Sequence, residues 1–380
     1  MEGSKLSVLF VAGFYYPSQI GGPCNSFYWL AKALGRAKVD VSVVAMSEGI
    51  ATDAVIFDFW NETEYGKVKY VKTKFSNYSI KYIWSAIRQI HNVDVVHINS
   101  FFSLASFIIG LMTIIGGKPL IWSPRGEFAP IALQYKSGLK KIILNIAKKF
   151  HHRFVFHATS NIETDNIKCI FGTNASIIEL PNYIELPPPT EIVKDNFLIY
   201  VGRIHPIKAL ENLIQACSMS KLFRNSNTNL LIVGDNNNEY AKYLVNEVIK
   251  LNLGNKILFV PHISNVEQKN SLLSRALFCF LPSHSENFGN VVVESLSNNT
   301  PVVASWGTPW KILEDHHAGF WVSNDPSSLT SVLDRILMMT PDEMEKYYNN
   351  ARHLTNANFN IDTNVSKWVE GYKKTIRING

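Results

Sequence analysis

The sequence predicts two α/β domains, each built on a parallel sheet with helices on both faces, and three observations support this fold class. The chain has 380 residues, whereas a single hydrophobic core stops growing at about 250 to 300 residues. Of these residues, 46% are hydrophobic and 18% are charged, which is typical of a globular protein. Short β-rich apolar runs alternate with longer segments of helical period, the pattern of βαβ units and doubly wound sheets.

Apolar runs mark the strands in both halves of the chain. The uncharged stretch 98–117 contains an asparagine and three glycines, so we interpret it as a buried crossover helix and not as a membrane span. The predicted strands are 6–12, 41–46, 68–71, 93–98, 120–123, 154–159 and 177–180 in the first half, and 197–201, 230–233, 257–260, 277–281, 302–304 and 320–322 in the second.

A run of three prolines, Pro187 to Pro189, marks the domain boundary, because prolines lack amide donors and fix an extended backbone. We predict an N-terminal domain over 1–185 and a second domain over 191–355. The last segment, 356–380, is a predicted helix that crosses back to the first domain, with Trp368 and Tyr372 on one face.

Composition also bears on location and partners. No signal peptide is recognised, and the four cysteines are scattered, so a cytoplasmic protein with reduced thiols is expected. Residues 1–190 carry 19 Lys+Arg against 13 Asp+Glu, while 191–380 carry 18 of each. The basic first half indicates either an anionic surface or acceptor as partner, or an ordinary solvated surface. No nucleic-acid partner is expected.

Two motifs with known chemistry are missing. Neither G-x-G-x-x-G nor G-x-x-x-x-G-K-[ST] occurs, which argues against nicotinamide-dependent dehydrogenases and P-loop enzymes. The loop after the first strand contains Gly21 and Gly22 instead. They either let the backbone approach a phosphate at the start of the following helix or form a plain turn.

Charged residues follow two strands of the second half. Arg203 ends one strand and Lys208 follows five residues later, so both cations can converge on one anion, the alternative being two surface charges. After a later strand, Glu286 lies in a loop and Glu294 on the next helix, with an anion site expected at the amides of 288–290 between them. Glu294 follows three valines, which predicts poor solvent access and a buried hydroxyl as its partner.

Together these motifs resemble the retaining glycosyltransferases of family 4, which have the GT-B fold of two Rossmann-like domains facing each other across a cleft. The resemblance covers essentially the whole chain and includes similarity to bacterial O-antigen and capsule polysaccharide enzymes. Its elements are the Gly21-Gly22 loop, the segment 202–208, the pair Glu286 and Glu294, and the segment 300–305.

The resemblance implies a role for each matching residue. Gly21 and Gly22 would face the diphosphate of a nucleotide-sugar donor, which Arg203 and Lys208 would hold from the other domain, and the cleft would close over it. Glu286 would bind hydroxyls of the donor sugar and Glu294 those of the ribose. Further donor contacts are expected from His262 near the base and from Asn287, Phe288, Gly289 and Asn290 around the sugar and phosphates. Arg203, Lys208 and Glu286 are the expected catalytic residues.

Similar enzymes retain the anomeric configuration and need no metal for chemistry, and no D-x-D motif occurs here. The chain departs from many relatives at two positions. Ala209 stands where a glycine is frequent, and we expect the helix start to tolerate it. Asn99 stands where a histidine is frequent, so any role there is hydrogen bonding and not base catalysis. His97, at the end of a buried run, is interpreted as structural.

The acceptor side is predicted from two segments of the first half. Arg125 and Glu127, in a segment similar to one of the polysaccharide enzymes, are acceptor-side candidates together with Asn99, although an Arg and a Glu can also simply pair. The segment 136–153 alternates basic and apolar residues at helical spacing. It predicts either a helix on an anionic membrane surface, hence a peripheral protein at the inner face, or a helix that covers its own domain.

The sequence therefore predicts a hexosyltransferase that moves a sugar, with UDP as the expected carrier, to a glycan acceptor, a lipid-linked oligosaccharide of bacterial surface polysaccharide synthesis. No cofactor is expected. Two alternatives remain: a sugar-nucleotide epimerase of the same fold, which Asn99 disfavours because it is not ionisable, and a non-catalytic sugar-binding protein.

Overall fold

The computed structural model describes residues 5–18, 22–73, 79–134, 137–188 and 193–379, which divide into two compact units. Unit 1 consists of Met1–Glu185 with Ile361–Gly380, and unit 2 of Leu186–Asn360. Of the proline run at the predicted boundary, Pro189 lies outside the described residues. Unit 2 extends five residues beyond the predicted limit of 355, because the helix that contains His353 continues to Asn358.

Unit 1 is an α/β unit whose sheet has eight strands in its described part, in the order β3-β4-β2-β1-β5-β6-β7-β8. All neighbouring strands are parallel except β3 and β4, which are antiparallel. The strand order reverses between β1 and β5. The strands are β1 (Ser7–Ala12), β2 (Asp40–Met46), β3 (Trp60–Thr63), β4 (Gly66–Val71), β5 (Val95–Asn99), β6 (Leu120–Ser123), β7 (Val155–Ala158) and β8 (Ile177–Glu179). Before unit 2, its helices are α1 (Gly22–Arg36), α2 (Ile80–Ile90), α3 (Leu104–Ile115), α4 (Pro130–Gln134), α5 (Ser137–Phe150) and α6 (Asn161–Phe171).

Unit 2 repeats the architecture with an all-parallel sheet in the order β11-β10-β9-β12-β13-β14, which reverses between β9 and β12. Its strands are β9 (Phe197–Val201), β10 (Asn229–Val233), β11 (Ile257–Val260), β12 (Cys279–Leu281), β13 (Val302–Ser305) and β14 (Gly319–Val322). Its helices are α7 (Leu210–Met219), α8 (Lys221–Asn225), α9 (Glu239–Lys250), α10 (Val266–Arg275), α11 (Asn290–Ser297), α12 (Ile312–Asp315), α13 (Pro326–Leu337) and α14 (Pro341–Asn358), and α15 (Ile361–Asn379) returns to unit 1. The predicted fold class of two doubly wound α/β domains is confirmed.

Side chains of alternate residues in each central strand pack into the hydrophobic clusters on opposite faces of the sheet. In β1, Leu9 packs into one hydrophobic cluster of unit 1 and Phe10 into the other, as the two-residue period of a strand requires. The second cluster also takes in Trp368 and Tyr372 of α15. The C-terminal helix therefore completes the core on one face of the unit 1 sheet.

The uncharged stretch 98–117 forms the end of β5 and the helix α3, whose residues are largely buried. In the described ranges, no helix combines the length and the apolar character needed to cross a bilayer.

Candidate active site

In unit 2, three loops meet at the carboxyl edge of the sheet. Ligands of doubly wound sheets bind where the strand order reverses, and here that point lies between β9 and β12. The loops after these strands are joined by the His284 amide, which donates to the Ile207 carbonyl at 2.8 Å. The Glu286 amide donates to the Gly307 carbonyl, 2.9 Å away in the loop after β13. The three loops thus form one hydrogen-bonded frame.

Lys208 and Glu286 meet on this frame. The Lys208 ammonium donates to Glu286 Oε1, and only 13% and 12% of the two side chains are exposed. Ser283 Oγ donates to the same carboxylate oxygen at 2.7 Å. A nearly buried ion pair costs desolvation energy, which its mutual attraction and further hydrogen bonds must offset. A fixed ammonium beside a fixed carboxylate can bind a ligand that carries both an anion and hydroxyl groups.

Ala209, which follows Lys208, has the left-handed backbone angles φ 49° and ψ 41° and is fully buried. This conformation costs a residue with a Cβ about 1 to 2 kcal/mol. The geometry therefore explains why glycine suits the position. Alanine nonetheless occupies this position, and α7 begins at the next residue, Leu210.

Arg203 lies just beyond β9, and its side chain is exposed. The Tyr200 hydroxyl donates to the Arg203 carbonyl at 2.7 Å, and burial raises the pKa of that hydroxyl well above its usual value. The guanidinium has no hydrogen bond or ion pair with any residue that the structure describes. The backbone at Arg203 is therefore fixed, whereas its five donors face solvent, separate from the Lys208–Glu286 pair.

Glu294 is buried on α11, with 7% of the residue exposed, as its sequence context predicts. Its partner in the structure is not a hydroxyl: the Lys269 ammonium of α10 lies 3.0 Å from Glu294 Oε2. The side chain of Lys269 is also mostly buried. The carboxylate is therefore oriented by a cation from a neighbouring helix.

The segment before α11 holds the remaining predicted contacts of this region. Gly289 is the N-cap of α11 and has a left-handed φ of 81°. The Phe288 side chain is buried against Trp310, whose indole donates to the Phe288 carbonyl, so that side chain has a packing role. Asn287 and Asn290 are half-buried and already have partners.

His262 lies at the same edge of the sheet but at its far side. It is exposed and follows β11, which is separated from β12 by β10 and β9. With strands spaced about 4.8 Å apart, His262 and the loop of Glu286 are on the order of 14 Å apart. Residues this far apart can only share an extended ligand.

In unit 1, the glycine pair falls partly on the undescribed segment 19–21. Gly21 lies outside the described residues, and Gly22 is the first residue of α1. Since α1 follows β1, Gly22 lies where the strand order of unit 1 reverses. Its contact with a diphosphate stays a prediction.

The acceptor-side candidates of unit 1 form two separate groups. Arg125 donates from Nε to Asn99 Oδ1 at 3.0 Å and from Nη1 to Asn182 Oδ1 at 2.6 Å. Burial lowers the pKa of Arg125 to about 10, which leaves it charged at neutral pH. Arg125 and Glu127 do not pair with each other.

Glu127 instead holds the loop that follows β5. Its carboxylate accepts hydrogen bonds from Ser100 Oγ at 2.6 Å and from the amides of Phe101 and Phe102, the latter at 3.0 Å. Burial raises the pKa of Glu127 although these bonds act in the opposite direction. Both oxygens are therefore engaged by the protein itself, so Glu127 shapes this site more than it contacts a ligand.

Several residues that build these sites cannot be recognised by local spacing. Lys269 lies on a different helix from Glu294, and Asn182 is far from Arg125 in sequence. The residues that the sequence prediction missed are Asn182, Tyr200, Lys269, Ser283 and Gly307. For Ser283, the signal was its place two residues after a strand and three residues before Glu286.

No cluster of three or more His, Cys, Asp or Glu side chains is arranged to hold a metal ion within the described ranges. Of the four cysteines, Cys24, Cys217 and Cys279 are buried and Cys169 is exposed, all as free thiols.

Two family models match the chain, one in each half. The model "Glycosyltransferase Family 4" matches residues 20–186, and "Glycosyl transferases group 1" matches 184–354. The chain is 28% identical to an uncharacterized glycosyltransferase of Methanocaldococcus jannaschii over 49% of its length, and it spans about half (47%) of that relative. It is 22% identical to the O-antigen chain mannosyltransferase RfbU of Salmonella typhimurium over 77% of its length and 94% of the relative.

Solved structures give the fold. Sucrose-phosphate synthase from Thermosynechococcus elongatus superposes with a TM-score of 0.78 at 18% identity, covering 98% of this chain and all of that one. The family matches and this likeness agree with the two doubly wound units. The chain is therefore a glycosyltransferase with the GT-B fold, and it belongs to glycosyltransferase family 4.

Proposed function

We propose that the chain transfers a sugar from a nucleoside-diphosphate sugar, with UDP as carrier, to a glycan acceptor with retention of the anomeric configuration. The observation that carries the donor assignment is the Lys208–Glu286 pair, held at the strand-order reversal of unit 2. The exposed Arg203 lies at the end of the neighbouring strand. Two cations and a carboxylate at this edge are the groups that a diphosphate and a sugar require.

In this proposal each residue acts on one part of the donor. Arg203 and Lys208 offset the negative charge that develops on the diphosphate as the glycosidic bond breaks. Glu286 accepts hydrogen bonds from hydroxyls of the sugar, and Glu294 from those of the ribose. A phosphate oxygen of the leaving group takes the proton of the acceptor hydroxyl, so the reaction needs no protein base.

A panel of nucleotide sugars tests the donor assignment. UDP-, GDP-, ADP- and CMP-sugars are added in turn, and the melting temperature is recorded, since a ligand that binds only the folded state raises it. We expect UDP-sugars to stabilise the wild type and not Lys208→Met. Lys242→Met, in an exposed pair with Glu239, serves as the matched control. No response to any nucleotide sugar contradicts the proposal.

We propose that the acceptor is a lipid-linked oligosaccharide of bacterial surface polysaccharide synthesis. Support comes from the similarity to the O-antigen chain mannosyltransferase of Salmonella typhimurium, of which the chain covers 94%. Its identity of 22% does not carry over the sugar or the linkage. Incubating the enzyme with a radiolabelled donor and with lipid extracts, and then partitioning between butanol and water, tests this. Label that stays with water-soluble products contradicts a lipid-linked acceptor.

We further propose that α5 binds anionic membranes at the surface. Its inner face packs on unit 1 through Ile143 and Ala147, which are buried. On the outer face, Leu139 and Ile142 are 46% and 59% exposed, and Lys141 is exposed beside them. Lys148 and Lys149 of α5 are also exposed, as are His152 and Arg153 in the turn that follows. Lys136, at the start of the predicted segment, lies outside the described residues.

Not every lysine of α5 is available to lipid. Lys140 Nζ donates to the Ala132 carbonyl at 2.5 Å and lies 5.1 Å from the centre of the Phe102 ring. The exposed lysines and the exposed apolar side chains together match a headgroup region with anionic lipid. Leu139 and Ile142 would bind neutral and anionic lipids alike, whereas the lysines favour anionic lipids.

Vesicle flotation tests the membrane proposal. We expect binding to vesicles of phosphatidylglycerol with phosphatidylcholine, and little to phosphatidylcholine alone. The variant Leu139→Ser/Ile142→Ser and the variant Lys141→Gln/Lys148→Gln should each weaken binding. The control Lys221→Gln/Lys242→Gln removes two exposed charges from unit 2. Equal binding to both vesicle types contradicts an electrostatic contribution.

We propose that no divalent cation takes part in the transfer, because Arg203 and Lys208 supply the positive charge at the diphosphate. Turnover that is unchanged by EDTA is the expected result. Activity lost on chelation and restored by added Mg²⁺ or Mn²⁺ overturns this point.

A further inference from the structure

Arg125 occupies a strained position at the end of a central strand of unit 1. It follows β6 by two residues and has a φ of 55°, in the left-handed region that disfavours residues with a Cβ. Ser100, directly after the neighbouring strand β5, has a φ of 74°. Such strain is kept where the surroundings fix it, and it concentrates at functional sites. Two adjacent strand ends are therefore shaped in the same unusual way.

The guanidinium of Arg125 is only partly used by the protein. Of its five N–H donors, Nε binds Asn99 Oδ1 and one hydrogen on Nη1 binds Asn182 Oδ1. Three donors remain on Nη1 and Nη2, in the fork that matches a carboxylate or a phosphate. The residue as a whole is half-buried.

The charge of Arg125 also lacks a direct counter-ion. In the described ranges, no carboxylate oxygen lies within 4.0 Å of the guanidinium. Glu163 acts on it from farther away, but its oxygens accept from the Gly126 amide at 2.7 Å and from the amide and hydroxyl of Thr159, both at 2.8 Å. Burial lowers the pKa of Arg125 only to about 10, which leaves a positive charge at neutral pH.

The guanidinium is held in place from two sides. The oxygens of Asn99 and Asn182 fix its plane, and its Cζ lies 5.1 Å from the centre of the Phe27 ring. A side chain fixed in this way loses little conformational entropy when a ligand binds. A charged fork held by neutral amides beside strand ends is therefore preorganised for an anion.

We propose that Arg125 binds an anionic group, a phosphate or a carboxylate, that is carried by the acceptor. This inference rests on the proposed function, in which Arg203 and Lys208 of unit 2 already serve the donor diphosphate. Arg125, at the carboxyl edge of the unit 1 sheet, is then a cation that the donor does not require, so we assign it to the acceptor. Asn99 and Asn182 act as positioning residues for Arg125.

Hydrogen–deuterium exchange with inorganic pyrophosphate as the probe tests this inference. In the wild type, pyrophosphate should slow exchange of the amides in the segment 124–128. Arg125→Gln should weaken this protection by about tenfold or more, as the loss of hydrogen bonds between charged groups implies. Arg125→Lys keeps the charge without the fork and should give an intermediate loss. Arg88→Gln, an exposed arginine of the same unit, is the matched control and should leave protection unchanged.

A second arm separates the two possible sources of the anion. UDP, GDP and ADP are added in turn, and protection is followed in the segment 283–290 of unit 2. Equal nucleotide protection in wild type and Arg125→Gln supports an acceptor-borne anion, whereas an equal loss in both segments assigns Arg125 to the donor and overturns the inference. The absence of pyrophosphate protection at 124–128 in the wild type also overturns it. Failure of the proposed function looks different: no nucleotide protects 283–290, while 124–128 still responds to pyrophosphate.

Discussion

The Tyr372 hydroxyl donates a hydrogen bond to His97 Nδ1 across 2.9 Å, which joins the C-terminal helix to the centre of the unit 1 sheet. This bond is the last in a buried series of hydrogen bonds. The donor and acceptor of each bond in the series follow from the bond at its other end. His157 Nε2 lies 2.9 Å from the Leu180 carbonyl, and because a carbonyl only accepts, Nε2 carries the proton. In neutral His157, Nδ1 then accepts from Ser123 Oγ at 2.7 Å, and Ser123 Oγ accepts from His97 Nε2 at 2.7 Å.

From this chain of buried hydrogen bonds we predict that the protein loses stability in mild acid. Burial lowers the pKa of His157 to about 3 and that of His97 well below its ordinary value. The unfolded chain takes up both protons below about pH 6.5, whereas the folded chain resists them. The unfolded state then binds more protons, so the free energy of unfolding falls as the pH drops from about 6.5 toward 3. Urea denaturation at a series of pH values measures this.

A pair of histidine variants identifies the source of the pH dependence. His157→Gln should be less stable at neutral pH but should lose less of its stability on acidification. His152→Gln, at an exposed position, should keep the wild-type dependence. A stability profile of the wild type that is flat between about pH 7 and 5 is incompatible with two neutral, buried histidines.

The fold could be predicted because its central strands are apolar on both faces, which is the sequence pattern of a buried parallel strand. β3 was missed for the opposite reason. Its sequence Trp60-Asn61-Glu62-Thr63 is mostly polar, and it pairs antiparallel at the edge of the sheet. The pattern of an edge strand that is half in water does not differ from that of a loop.

Only the parts of the site that depend on local sequence could be predicted. Strand ends such as those before Arg203 and Glu286 can be recognised from the apolar runs that precede them. The partner of Glu294 could not be predicted, because Lys269 reaches it from another helix and the contact exists only after α10 and α11 pack. The same holds for Tyr372, which meets His97 across 275 residues of sequence.

Removing Lys208 should cost both stability and activity, and a double variant separates the two effects. Lys208→Met leaves the Glu286 carboxylate nearly buried and unpaired, which costs about 3 to 5 kcal/mol in comparable pairs. Lys208→Met/Glu286→Gln removes both charges and should regain much of this stability. Turnover should stay reduced by about 100-fold or more in both variants, because the transition-state charge has lost a cation. Urea denaturation and turnover are measured on the same preparations.

The exposed pair of Lys242 with Glu239 is the matched control for this cycle. Its charges lie in solvent, so Lys242→Met/Glu239→Gln should change stability by less than about 1 kcal/mol and leave turnover intact. If the Lys208→Met/Glu286→Gln variant keeps wild-type turnover, the pair is a structural ion pair and has no part in the reaction.

Glu294 and Lys269 should control donor affinity and not the chemical step. Glu294→Gln weakens hydrogen bonds to ribose hydroxyls, so KM for the donor should rise about tenfold while kcat changes little. Lys269→Met should have a smaller effect of the same kind, because it frees the carboxylate that the ammonium orients at 3.0 Å. Lys250→Met, an exposed lysine paired with the half-buried Glu247, is the control. A fall in kcat at unchanged KM would place Glu294 in the chemistry instead.

Gly307 should tolerate no side chain, because it packs against the backbone of the Glu286 loop. A Cβ at this position would overlap the His284 carbonyl oxygen and lie 2.8 Å from that of Ser283, so the loops must separate. Gly307→Ala should destabilise the protein by about 1 to 3 kcal/mol, the cost of overpacking. It should also weaken nucleotide-sugar binding, because the Glu286 amide is held by the Gly307 carbonyl.

Gly254→Ala is the matched control within unit 2, since a Cβ there meets no atom within 4 Å. That variant should be neutral or should gain up to about 1 kcal/mol from reduced freedom of the unfolded chain. Thermal melts with and without the nucleotide sugar separate stability from affinity. If Gly307→Ala lowers the melting temperature but binds the donor as wild type does, the frame that joins the loops after β12 and β13 supports the fold and does not position Glu286.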